Sequence, residues 1–263
     1  MPPFSVIGNL KMNLQTREDC DEYVSQLRRE SVGKTFAHAR GIIAPPAIHL
    51  NRFQSLPPGF SLAAQTMGSE TKGAFTGEIS PLMLRDANVN FVILGHSERR
   101  TYANETDELI ARKTRLALKE GLTPIVCIGE TSEERDREET IAVIEHSIRI
   151  IYAELSPLFA ERVILAYEPR WAISAVSGGV TATTADILQV RVYLRKLFSE
   201  LYDPGLAERI SVIYGGSVKA ATLASLSWEA EMAGVLVGGE SLYPRELIKM
   251  LSDAEAHFST QLA

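Results

Sequence analysis

Cysteine is scarce in this chain of 263 residues, which holds only Cys20 and Cys127. Two thiols make no disulfide framework, so a reducing, cytoplasmic location is expected. Positive charge is also thin. Lys and Arg number 27 against 33 Asp and Glu, a net charge of -6, and no basic cluster breaks the pattern. Nucleic acid is therefore not the expected partner. No apolar run is long enough to span a bilayer, so no membrane association is expected. The opening stretch MPPFSVIGNLKMN has neither a charged n-region nor an apolar h-region, and is not expected to act as a secretory signal. No Pro/Gly-rich linker or low-complexity segment divides the chain, and the expectation is one domain over residues 1–263. The composition is 45% hydrophobic and 23% charged, enough for a large core.

Several chemistries are missing as well. No GxGxxG follows the first apolar run, and there is no Walker A sequence and no GxSxG elbow. His38, His49, His96, His146 and His257 have no metal-ligand spacing with one another or with cysteine. Neither metal nor cofactor is expected.

What is present is a recurrence of short apolar runs. FSVIGN, GIIAPP, SLAAQT, FVILGH, PIVCIGE, VILAYEP, ISVIYGG and AGVLVGG are rich in Val, Ile and Leu without clean alternation, as in strands buried on both faces. Helical patterns lie between them. Ile141, Ile144, Ile148, Ile151 and Leu155 recur at helix spacing behind EERDREE, read as a solvated charged turn. Strand alternating with helix implies parallel βαβ units. Eight such runs suit a closed (β/α)₈ barrel, an α/β fold, better than a doubly wound sheet, which usually has fewer strands and opens with a glycine fingerprint.

Active sites of such barrels sit at the C-terminal strand ends. Those ends carry Asn9 and Lys11, Gln65, His96, Cys127 and Glu130, Glu168, Gly215-Gly216-Ser217, and Gly238-Gly239. Polar residues begin at any strand end. A lysine, a histidine and a carboxylate from three strands converging on one rim need more explanation than that. Gly-Gly after a strand can serve a tight turn; two such pairs on the last two strands also suit backbone N–H groups aimed at an anion. One carboxylate, one imidazole, one ammonium and a phosphate cradle suit proton abstraction beside a carbonyl on a small phosphorylated substrate.

GNLKMN, AAQT, GAFTGEISPLML, ILGHSERR, VCIGE, AYEPRWAI, YGGSV and LVGG stand in the order found in triosephosphate isomerases, and the resemblance covers nearly the whole chain. It implies an aldose–ketose isomerase of a short sugar phosphate, without cofactor. Glu168 matches the family's base, held extended at its strand end by Pro169. His96 matches the electrophile; it opens a short helix at SERR, whose positive end would favour the neutral imidazole. Lys11 matches the cation that stabilises the enediolate, and Asn9 its hydrogen-bonding neighbour. Ser97 and Glu98 match supports of the histidine and the base, although Ser97 could equally be an N-cap. Tyr214 and Cys127 fall just behind the reacting groups, Cys127 more as packing than as chemistry, and Glu130 reads as a cap of the next helix. Gly215, Gly216, Ser217, Gly238 and Gly239 match the phosphate cradle. GAFTGEIS resembles the family's interface loop, which would carry Thr76 to a partner's site in a homodimer.

The chain departs from the family in its lid. Where the family has GTGK between AI and TAT, this chain has the seven residues SAVSGGV, three more. The added length costs only about 0.2 kcal/mol in closure entropy. Geometry matters more: Ser174 aligns with the family glycine that offers its N–H to the phosphate. A positive φ there would cost serine about 1–2 kcal/mol unless Gly178-Gly179 takes the role over. Leu10, Arg170, Ala233 and Glu240 are further departures, and Glu240 brings negative charge near the phosphate glycines. These changes leave two substrates open beside intact chemistry, a triose phosphate or the tetrulose L-erythrulose 1-phosphate. A non-catalytic sugar-phosphate sensor is the third reading.

Overall fold

Strand pairing begins with β1 (Phe4–Asn9), which runs parallel to β2 (Ala39–Ala44) on one side and to β8 (Gly234–Val237) on the other. Between them follow β3 (Phe60–Ala64), β4 (Phe91–Leu94), β5 (Thr123–Ile128), β6 (Ile164–Tyr167) and β7 (Ser211–Tyr214), each parallel to the next, closing an eight-stranded barrel. The computed structural model describes residues 2–173 and 181–261. Each of the eight apolar runs overlaps one of the strands, and the barrel reading holds.

The absence of polar alternation now has its cause. Ile7, Ile42, Ala63, Ile93, Ile125, Ala166, Ile213 and Leu236 fill the barrel interior. Their strand neighbours Val6, Ile43, Leu62, Val92, Val126, Leu165, Val212 and Val235 pack outward against the helices. Both faces are buried, so both are apolar.

Helices start where their sequences offer caps. Thr16 with Asp19, Thr131 with Glu134 and Thr183 with Asp186 form reciprocal capping boxes. The Thr131 box corrects one expectation in part: the helix Ser132–Asp136 takes in the first four residues of EERDREE, and only Arg137 and Glu138 form a turn. The following isoleucine stripe lies on the helix Thr140–Tyr152, which ends before Leu155; Leu155 is buried all the same. Among the described residues no helix is long and apolar enough to cross a membrane.

Candidate active site

At the C-terminal ends of the strands lies a cavity of about 340 Å³. Asn9, Lys11, His96, Glu168, Gly215, Gly216, Ser217, Gly238 and Gly239 all line it. These residues from five separate strand ends share one space, whereas Gln65, Cys127 and Glu130, also at strand ends, do not line it.

Glu168 follows β6 and is only 3% exposed. Its backbone N–H donates to the Ile128 carbonyl at 2.7 Å, tying it to the end of β5. Gly129 makes that approach feasible, because a Cβ there would come within 2.1 Å of the Glu168 carbonyl oxygen. The carboxylate is doubly engaged: Oε1 lies 3.0 Å from His96 Nε2, and Oε2 accepts from the Ser97 backbone N–H at 2.9 Å. Burial alone would raise its pKa; the His96 contact, the Ser97 N–H and the Lys11 charge outweigh burial and lower it.

His96 caps the helix Ser97–Tyr102, and its Nδ1 accepts the Glu98 backbone N–H at 3.2 Å. A nitrogen that accepts carries no proton, so the imidazole proton sits on Nε2, facing Glu168. The expected lowering of its pKa by the helix end is not the ruling influence. Burial does push it down, but the Glu168 carboxylate outweighs burial and raises it. The cap is His96 itself, and Ser97 serves through its backbone rather than as an N-cap.

Lys11 stands just past β1 with φ 50°, a left-handed conformation rare for a residue with a side chain. Two neighbours hold it there. Asn9 Oδ1 accepts the Lys11 N–H at 3.1 Å, and Gln65 Nε2 donates to the Lys11 carbonyl at 2.8 Å and to that of Ala44 at 2.9 Å. Its ammonium then reaches Glu98 Oε1 at 2.7 Å. Glu98 thus touches both Lys11 and His96, the first through its carboxylate and the second through its backbone.

The glycine cradle needs one correction. The Gly215 N–H donates to the Tyr167 carbonyl at 2.8 Å, completing the ladder, and is not available to an anion. Gly216, Ser217, Gly238 and Gly239 remain on the cavity wall. Gly216 is required by close approach, since a Cβ would meet Tyr214 Oη at 2.0 Å. Tyr214 is fully buried, and its hydroxyl has no hydrogen-bond partner among the described residues. Ser217 Oγ donates to the Ala172 carbonyl at 2.9 Å, linking the end of β7 to the turn after Glu168. Cys127 packs inside the barrel, where burial pushes its thiol pKa up, in keeping with a packing role. Ser174 and Gly178-Gly179 lie outside the described residues.

Some wall residues escaped the sequence reading. Lys219, Leu242 and Tyr243 line the cavity beside Glu240. The position of Lys219, directly after YGGSV, was the available signal for one of them. Glu130 does not cap a helix, a task Thr131 performs. It is buried instead, accepting from the Tyr167 hydroxyl at 3.1 Å and from Trp171 Nε1 at 2.8 Å. Thr76 is exposed on its loop. Among the described residues no group of three or more metal-ligand side chains gathers.

A buried carboxylate beside an imidazole, with an ammonium and glycines on the same cavity wall, is a set of groups able to move protons next to a carbonyl. Known proteins resemble the chain over most of its length. The family model for triosephosphate isomerase matches residues 4–254. The triosephosphate isomerase of Alkaliphilus oremlandii is 41% identical over 249 residues, covering 94% of this chain and 98% of that protein. That of Endomicrobium trichonymphae is 38% identical over 246 residues, 93% and 96% of the two chains. The one from Emericella nidulans is 40% identical over 242 residues, 92% and 94% of the two. On its fold, its site and these relatives alike, the chain belongs to the triosephosphate isomerase family, whose members are aldose–ketose isomerases.

Proposed function

We propose that the protein interconverts dihydroxyacetone phosphate and D-glyceraldehyde 3-phosphate through an enediolate. The observation that carries the reading is the convergence of Glu168, His96 and Lys11 on one glycine-edged cavity. Glu168 takes the proton from the carbon beside the carbonyl, and the C–H electron pair moves into the enediolate. Negative charge then grows on the carbonyl oxygen, where His96 Nε2–H and the Lys11 ammonium stabilise it. The hydroxyl proton passes from one enediolate oxygen to the other beside His96, and Glu168 returns the carbon-bound proton to the neighbouring carbon, so that carbonyl and hydroxyl exchange places. Because both of its oxygens are engaged, one must leave His96 or Ser97 to reach the substrate. Asn9 holds Lys11, Glu98 and Ser97 hold the ammonium, imidazole and carboxylate, and Gly216, Ser217, Gly238 and Gly239 receive the phosphate. Ser174 is assigned to the phosphate by alignment alone.

The same reading takes residues 1–263 as one domain of a cytoplasmic homodimer, with no nucleic-acid or membrane partner. Support for the dimer comes from large exposed apolar side chains, among them Met12, Ile48, Phe75 and Met83. Phe75 and Met83 line a second cavity of about 520 Å³, and Thr76 stands exposed beside Phe75. A mass in solution of two chains, reduced to one by Thr76→Glu, is the expected result.

Measuring kcat/KM with D-glyceraldehyde 3-phosphate and with L-erythrulose 1-phosphate side by side tests the activity. Preference for the triose supports the proposal, and preference for the tetrulose would move the substrate to four carbons. Binding without turnover would make the protein a sensor.

A further inference from the structure

Arg100 carries no side-chain atom into the active-site cavity, yet it holds the backbone on both sides of His96. Its Nε donates to the Gly95 carbonyl at 2.9 Å, the peptide oxygen immediately before His96. Its own backbone N–H donates to the His96 carbonyl at 3.1 Å, the peptide oxygen immediately after. A third bond, from Nη2 to the Cys127 carbonyl at 3.1 Å, ties β4 to β5 at the level of the site. The remaining arm of the guanidinium meets Asp107 Oδ1 at 2.7 Å. Asp107 is fixed in turn by the Ser147 hydroxyl, which donates to Oδ2 at 2.7 Å from the helix Thr140–Tyr152.

The segment so gripped needs gripping. Gly95 has φ 68°, and glycine there is free to rotate unless its peptide is held. Its neighbours press closely: a Cβ on Gly95 would come within 2.6 Å of Ile110 Cδ1 and 3.2 Å of the Cys127 carbonyl. The end of β5 also anchors Glu168, through Ile128. Joining β4 to β5 therefore sets how far the imidazole stands from the carboxylate. A planar fork with donors at fixed angles can serve two carbonyls and a carboxylate at once; a lysine ammonium is a single point on a flexible stem.

We infer that Arg100 is a positioning residue for catalysis, fixing the peptide groups that flank His96 and so the aim of its Nε2–H at the substrate carbonyl. The inference rests on the isomerase reading for its kinetic consequence, and on the geometry alone for its structural one. It concerns the transition state more than binding, because the glycines proposed to hold the phosphate lie just past the ends of β7 and β8, whereas the clamp joins β4 to β5. A misplacement on the order of 1 Å can cost about a hundredfold in rate.

The test is Arg100→Lys, examined by steady-state kinetics on D-glyceraldehyde 3-phosphate and by ¹⁵N NMR of the His96 imidazole. The expected result is a kcat lower by about ten- to a hundredfold, KM within about twofold of the parent, and a displaced His96 signal. Should Arg100→Lys not fold, Asp107→Asn keeps a hydrogen bond but loosens the guanidinium, and a loss in kcat of about three- to tenfold is expected. A folded Arg100→Lys with parental kcat and an unmoved His96 signal would overturn the inference, as would a rise in KM at constant kcat. An inactive parent would sink the isomerase reading, while the NMR shift would still decide the positioning role.

Discussion

Glu168 Oε1 and His96 Nε2 stand 3.0 Å apart, on loops that leave β6 and β4, with both side chains almost wholly buried. Each shifts the other: burial acts against the charged form of both, and the contact outweighs burial in both cases. The proposed base and the proposed electrophile are thus paired with each other, and in the proposed reaction the substrate displaces that contact.

Reach is the first consequence. Glu168→Asp shortens the side chain by one methylene while keeping the charge, drawing the carboxylate back from the substrate carbon. The expected loss in kcat is about a hundredfold or more, with KM changed far less. Steady-state kinetics on D-glyceraldehyde 3-phosphate checks this, and a kcat within a few-fold of the parent would remove Glu168 as the base.

The pairing also makes stability depend on pH. Glu168, with its folded pKa lowered, contributes fully above its unfolded value of about 4.3 and loses that contribution as pH falls through the folded value. His96, with its folded pKa raised, contributes fully below about 6.5 and loses it as pH rises through the folded value. Both contributions are complete between about pH 4.3 and 6.5. The Tm difference between the parent and His96→Gln should accordingly be larger at about pH 5.5 than at about pH 9. A difference that grows with pH would contradict the pairing.

Glu130 gives a prediction about the turn after Glu168. Its carboxylate accepts from the Tyr167 hydroxyl and Trp171 Nε1 in a buried setting, so Glu130→Ala strands both donors. Each stranded donor costs about 1–3 kcal/mol, which chemical denaturation should register. Unchanged stability would mean that water replaces the carboxylate.

Charge on the cavity wall is the last point. Glu240 lines the cavity beside Gly239, where a phosphate dianion is proposed to sit. Glu240→Ala is expected to lower KM about two- to fivefold at unchanged kcat, more so at low salt. A raised KM would give Glu240 a contact with the substrate instead.

The barrel was legible because two-sided burial writes itself into a strand as an unbroken apolar run, as in FVIL of β4 and GVLV of β8. Lys11, His96 and Glu168 were legible because strand ends mark the active rim of such a barrel. What stayed hidden depends on partners distant in sequence. Nothing local to Glu130 announces that Tyr167 and Trp171 will donate to it, and its position before a helix suggested a cap. The loss of the Gly215 N–H to Tyr167 follows from register between β6 and β7, which one strand alone does not specify. The left-handed turn at Lys11 was equally hidden, since lysine is an unusual residue to hold it and the cause lies in Asn9 and Gln65.

Turnover of D-glyceraldehyde 3-phosphate in D₂O, followed by proton NMR, tests proton transfer by Glu168 most directly. A carboxylate that takes the proton and exchanges with solvent before returning it must leave deuterium at C1 in part of the dihydroxyacetone phosphate formed, and the Glu168→Asp protein should form that product far more slowly. Dihydroxyacetone phosphate free of deuterium, or no product at all, would contradict the enediolate route.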